Sequence, residues 1–343
     1  MQIKIASAAT AGVLALALAA NSASTNNNAV DTAIQKGAKW IASVQGRDGG
    51  WGQDGGETSY VRQGEHLETN GNDVANTAVA AMALLKAGSQ YQQNVDRALD
   101  FIMREVENSP ANGLSVTNRN GTQIQRKLGP YIDTFLTSML LSEVDGTLSK
   151  AENARVRKAL EKCVAKIEAN QQKDGSWNVG GGWAPVLGTS MASQSLYAAQ
   201  QKGVAVKEKT MVQAESYTKN APAGAADAAG VTLYQSAQAL EQLSRTPAAR
   251  AANAPQISAL RLQLKDAKVV NGYGSVGGEE FFSYLNVSDG LKRTGGKDWD
   301  EWRTDITARI LRLQNEDGTW SGSHCITGRV AVTSAAILNL TVR

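Results

Sequence analysis

The side chains best suited to chemistry are few. The chain holds two histidines, His66 and His324, and two cysteines, Cys163 and Cys325. His324 and Cys325 are adjacent and offer imidazole and thiolate donors of the kind that bind a divalent metal such as zinc. Imidazole and carboxylate groups also serve as general acids and bases. On that basis His324, Asp133, Glu279 and His66 are the candidate catalytic residues, and His324 with Cys325 the candidate metal ligands. Plainer roles stay open. Asp133 can cap a helix, Glu279-Glu280 can sit at the positive end of a helix dipole, and His66 lies in a polar insertion, Glu57 to Asp73. Arg126, Lys127 and Arg329 can grip an anion or face solvent. Cys163 falls on an apolar stripe and reads as a small buried hydrophobe, so no Cys163–Cys325 disulfide is expected.

Composition narrows the class of protein around these residues. With 343 residues and 42% hydrophobic content the chain can bury a large core. A net charge of +3 argues against a nucleic-acid partner. Two cysteines exclude a disulfide-stapled scaffold. Residues 1–24 read as a signal peptide: Lys4, an apolar run from Ala11 to Ala20 too short to span a bilayer, and small residues at Ala17 and Ala19. Residues 25–343 are then expected as one exported domain, in the periplasm, cell envelope or medium, with no membrane span after cleavage. No P-loop occurs.

The positioning elements are announced by a repeat. Gln-x-x-Asp-Gly-x-Trp occurs at Gln45–Trp51, Gln171–Trp177 and Gln314–Trp320. Each copy follows an amphipathic stripe, such as Ile34, Ala38, Ile41 and Val44, or Trp299, Trp302, Ile306, Ile310 and Leu313. Asp-Gly is a turn signal, and the Gln amide and Trp ring suit a helix end. A second pattern, Thr-(Ala/Ser)-x-Ala-x-x-x-Leu, follows each copy at Thr77, Thr189 and Thr333. Its small residues allow close helix approach and predict buried partners. Weaker relatives fill the gaps: Val95 to Val106 with Thr134 to Leu141, Lys207 to Tyr217 with Thr232 to Leu243, and Ile257 to Ala267 with Glu280 to Leu291. The count is about six helical hairpins, an all-α chain with two concentric layers. Ring closure would set the sixth hairpin beside the first and bring His66 and His324 together.

At these residues the chain resembles the squalene cyclase and prenyltransferase repeat superfamily. The resemblance implies an (α/α)6 toroid with a central cavity. Squalene–hopene cyclases carry Asp-x-Asp-Asp-Thr-Ala, whose middle Asp protonates the substrate; here the stretch reads Asp73-Val74-Ala75-Asn76-Thr77-Ala78. Ala75 cannot donate a proton, so the resemblance implies a toroid without that acid. Protein prenyltransferases hold zinc with Asp-x-Cys and a distant His. Here Glu279 stands for the Asp, Phe281 replaces the Cys, and His324 lies near the late His, an incomplete triad. The expected function is binding, with or without transformation, of a small molecule in the cavity, an isoprenoid or an oligosaccharide. The hydroxyl- and amide-rich inner segments, such as Thr189 to Tyr197, point to a ligand richer in oxygen than squalene. The alternatives are a saccharide lyase or hydrolase on the same fold and a non-enzymatic protein-interaction module of the cell envelope.

Overall fold

The computed structural model describes residues 27–54, 71–179, 185–220, 229–272, 274 and 276–343. His66, the expected signal peptide and the Gly180–Gly182 cluster lie outside the described residues. Helices dominate. Six are long and buried on nearly every side: α2 (Val74–Ala87), α5 (Ile132–Val144), α7 (Pro185–Gln201), α9 (Ala229–Leu243), α13 (Gly278–Thr294) and α15 (Arg329–Thr341). Six more bury a single stripe: α1 (27–43), α3 (Gln92–Asn108), α6 (Lys150–Ala169), α8 (Glu208–Asn220), α11 (Ala254–Gln263) and α14 (Lys297–Arg312). Helix α3 shows why: Val95, Ala98, Leu99, Ile102, Met103 and Val106 recur at helical spacing, and all six are buried. Three short helices the periodicity did not reveal complete the set: α4 (Gln123–Leu128), α10 (Pro247–Ala252) and α12 (Ala267–Val270).

The inner helices close into a ring. In turn α2 packs on α5, α5 on α7, α7 on α9, α9 on α13, α13 on α15, and α15 back on α2. Among the described residues no strand forms; Trp51 and Asp73 share a lone antiparallel bridge. This is the all-α, six-hairpin toroid that the repeats imply.

The two repeated motifs form one joint, built three times. Each Trp indole N–H donates to the carbonyl ten residues before it, Ile41, Ile167 or Ile310, at 2.7–2.8 Å. Each Trp backbone N–H donates to the Thr of the second motif: Thr77, Thr189 or Thr333. Each Gln amide donates both to its own turn and to the next outer helix. Gln45 reaches the Asn94 carbonyl, Gln171 that of Thr210, and Gln314 that of Ala33. The last of these joins α14 to α1 across the closure. Gly175, at φ 92°, cannot be replaced without cost, because a Cβ there would lie 2.1 Å from the Gln213 carbonyl oxygen.

Candidate functional site

Inner helices that all run the same way give the toroid two unlike poles. At one pole their N-termini meet, and buried carboxylates gather there, where helix dipoles favour them. Asp133 lies in the first turn of α5 and does not cap it: the N-cap is Tyr131, without a side-chain hydrogen bond. The Asp133 Oδ1 accepts the Ala75 N–H of the neighbouring α2 at 3.0 Å, and its Oδ2 accepts the Gln125 amide at 2.7 Å. Asp73 caps α2, accepting the Asn76 backbone and side-chain N–H groups, each at 2.8 Å. Both carboxyls are buried. Burial pushes Asp73 up to about 6. Burial, reinforced by the Asp73 charge, pushes Asp133 up to about 7. Asp133 therefore exchanges its proton close to neutrality, far above the ordinary carboxylate range.

Helix α4 lies over this pole and explains the pairing. Its capping box, Thr122 with Gln125, starts the helix after Gly121. Gln125 holds Asp133. Gln123 reaches the loop before α15, donating to the Thr327 hydroxyl at 3.0 Å and accepting the Thr327 N–H at 3.1 Å.

Across the pole stands the second candidate group. Glu280 completes the N-cap of α13 by accepting the Gly277 N–H at 2.8 Å; it also accepts the Tyr234 hydroxyl at 3.0 Å. His324 Nε2 lies 3.6 Å from Glu280 Oε2. Glu279 accepts the Ile326 N–H at 3.1 Å through Oε2, whereas its buried Oε1 finds no partner among the described residues. Donor atoms of Glu279, His324 and Cys325 all lie within 4.8 Å of one another. Cys325 sits at φ 54°, a strained region for a side-chain-bearing residue. Burial pushes the Glu279 carboxyl up to about 7; burial and the Glu279 charge push the Cys325 thiol up to about 12. An orphaned carboxylate oxygen beside an imidazole and a thiol suits a divalent ion, with Glu279, His324 and Cys325 as its ligands. Cys163 is fully buried and free, as its stripe implied, and Cys325 is free as well.

A cavity of about 360 Å³ lies along the toroid axis and reaches the other pole, where the inner helices end. Its wall is Val79, Met82, Leu136, Met191, Phe282 and Leu338. Two amides cross it at mid-depth: Gln194 donates to Asn286 Oδ1 at 2.7 Å. Its mouth carries Lys86, Glu143, Asp289 and Lys292, with Lys86 and Glu143 joined as an ion pair. The wall is more apolar than the sequence suggested. Thr189 is committed to Trp177 and Asn178, and Ser195 donates to the Ala192 carbonyl, so these hydroxyls serve packing rather than the cavity. Asp133 and Glu279 each stand one helical turn before a wall residue, Leu136 and Phe282, at the closed end of the shaft.

The four candidates thus divide. Asp133 sits with Asp73, Glu279 sits with His324 and Cys325, and His66 is outside the described residues. Arg329 is held by Asp54 and Asp317 and lies over the Trp40 ring. Sequence reasoning passed over the mouth residues Lys86, Glu143 and Asp289, which only share helix ends, and over Gln125, which the Thr122-x-x-Gln125 capping pattern could have revealed.

Known proteins agree with this architecture. The family model of the squalene–hopene cyclase C-terminal domain matches residues 10–121. A squalene–hopene cyclase of Bradyrhizobium diazoefficiens is 36% identical over 73 residues, which make up 21% of this chain and only 11% of that enzyme. A variant of the type II terpene cyclase MstE from Scytonema, solved with geranylgeranyl dihydroxybenzoate, superposes with a TM-score of 0.55 at 13% identity, covering 93% of this chain and 98% of that one. The chain thus has the α/α-toroid fold seen in that terpene cyclase, and over residues 10–121 its sequence is similar to squalene–hopene cyclases.

Proposed function

We propose that the protein binds an isoprenoid-class ligand in its axial cavity and transforms it by proton transfer from Asp133. The observation that carries this reading is the apolar shaft whose closed end lies one turn from a buried, doubly hydrogen-bonded carboxyl. Asp133 reaches in from α5 to the backbone of Ala75, where the related cyclases have their acid. The motif Asp73-Val74-Ala75-Asn76 lacks that acid itself, and a carboxyl borrowed from the next helix would restore it. Such a reaction conserves atoms: a proton from Asp133 adds to an alkene carbon, the cation closes a ring onto a second alkene, and loss of a proton ends the sequence. The apolar wall favours an isoprenoid over an oligosaccharide. Export is supported by the apolar run from Ala11 to Ala20.

A second reading of the opposite group rests on the orphaned Glu279 oxygen. There Glu279, His324 and Cys325 would hold a divalent ion such as zinc, which when bound would keep Cys325 as thiolate. Glu280 would hold His324 in place.

The test uses geranylgeraniol as probe. Native mass spectrometry is expected to show one molecule bound to the wild-type protein and none to Met82→Trp, whose larger ring fills the shaft. Asp133→Asn is expected to bind the probe but convert none of it. A wild-type protein that binds no probe, or a Met82→Trp variant that binds it equally well, would refute the reading.

A further inference from the structure

The mouth of the cavity carries two cations, Lys86 and Lys292, two carboxylates, Glu143 and Asp289, and the ends of several inner helices. Helices α2, α5, α13 and α15 all end there, at Ala87, Val144, Thr294 and Thr341, so four sets of terminal carbonyls turn the negative ends of their dipoles toward the opening. The cations beside it are mostly committed. Lys86 pairs with Glu143 of α5. Arg293 of α13 pairs with the buried Glu241 of α9 at 2.8 Å, and Glu241 is shared with Arg245. Lys292 is exposed to solvent and makes no ion pair among the described residues. Asp289 is not among the paired groups. Its carboxyl lines the cavity one turn deeper than Lys292 and makes no hydrogen bond or ion pair among the described residues, although the charges of Arg293, Lys292 and Lys86 act on it at longer range. Water can serve such a group in the empty shaft, but an apolar ligand would expel that water and leave a bare carboxylate, which is costly.

We infer that the cavity is built for a ligand whose apolar body carries a single positive charge near the mouth, an alkyl- or isoprenoid-type amine whose ammonium group pairs with Asp289. The pairing would satisfy the carboxylate and meet the helix C-termini together. A neutral alcohol satisfies only the first, and a carboxylate ligand is repelled by both. Burial raises Asp289 to about 6, against which Arg293 acts to lower it, so the group is mostly ionised at neutral pH. The inference rests on the cavity-binding reading above and adds the charge of the ligand.

Three probes of equal chain length separate the two: dodecylamine, dodecanol and dodecanoate, titrated into the full-length protein at neutral pH by calorimetry. Dodecylamine is expected to bind at least about tenfold more tightly than dodecanol, the excess of an ion-paired hydrogen bond over one from a neutral donor. Dodecanoate should bind most weakly. Asp289→Asn should abolish the amine preference while dodecanol binding persists, which also reports that the variant is folded. Equal binding of amine and alcohol, tightest binding of dodecanoate, or an unchanged preference in Asp289→Asn would overturn this inference and leave the cavity reading standing. Failure of every probe to bind would overturn both.

Discussion

Replacing Asp133 by Asn tests the chemistry of the closed pole through stability as well as turnover. In the folded chain its carboxyl titrates near 7 rather than at the ordinary 3.8. Between those two values the native state holds a proton that the unfolded chain has lost, so stability falls as the pH rises through this window. Each pH unit spent inside the window costs about 1.4 kcal/mol. Just over one unit of it has been crossed by pH 5 and all of it by pH 8, so this residue accounts for a loss on the order of 2–3 kcal/mol between the two. Asparagine cannot ionise and removes that loss. It keeps an oxygen for the Ala75 N–H but sets an amide N–H₂ against the Gln125 donor, a conflict worth about 1–3 kcal/mol at every pH. Gln125 cannot turn over without cost, because its oxygen accepts the Thr122 N–H and its nitrogen also serves the Arg119 carbonyl. Urea melts of wild type and Asp133→Asn should therefore show the two within about 1–2 kcal/mol of each other at pH 5 and the variant the more stable at pH 8, the difference moving in its favour by about 2–3 kcal/mol. Parallel pH dependences for the two proteins would refute the raised value and with it the proton assigned to Asp133.

Two further expectations concern the frame. Gln314→Ala removes the donor to both Gly318 and Ala33 and should cost about 1–3 kcal/mol in chemical denaturation, for two lost hydrogen bonds; no change would mean that the joint between α14 and α1 does not hold the ring closed. Glu241→Gln strips the buried Arg245 and the half-buried Arg293 of their counter-charge and should destabilise by about 3–5 kcal/mol, visible as a lowered melting temperature. Its two arginines hold Glu241 below the usual carboxylate range against the opposing effect of burial, so this contribution is lost as the pH falls, opposite in sign to Asp133.

The helices and their layering were legible because burial leaves a local mark. A stripe such as Val95 to Val106 records one covered face, and small residues at Ala75, Ala78 and Ala80 record contact on all sides. The Gln-x-x-Asp-Gly-x-Trp motif marked each helix end correctly, yet the partner of its Gln lay 39 to 281 residues away, beyond any local pattern. Helix α4 was missed because six residues carry too little periodicity to register.

Residue types and spacing alone determined that this chain is a ring of helical hairpins with a few carboxylates, two histidines and a cysteine before its inner helices. Only the tertiary structure decided which of those groups meet. It set Asp133 against Ala75, gathered Glu279, His324 and Cys325, and placed Asp289 in the cavity mouth at the opposite pole. The division has a physical origin. Secondary structure follows from interactions within a few residues, whereas a carboxyl's proton affinity and its partners depend on what the closing of the ring carries to its side.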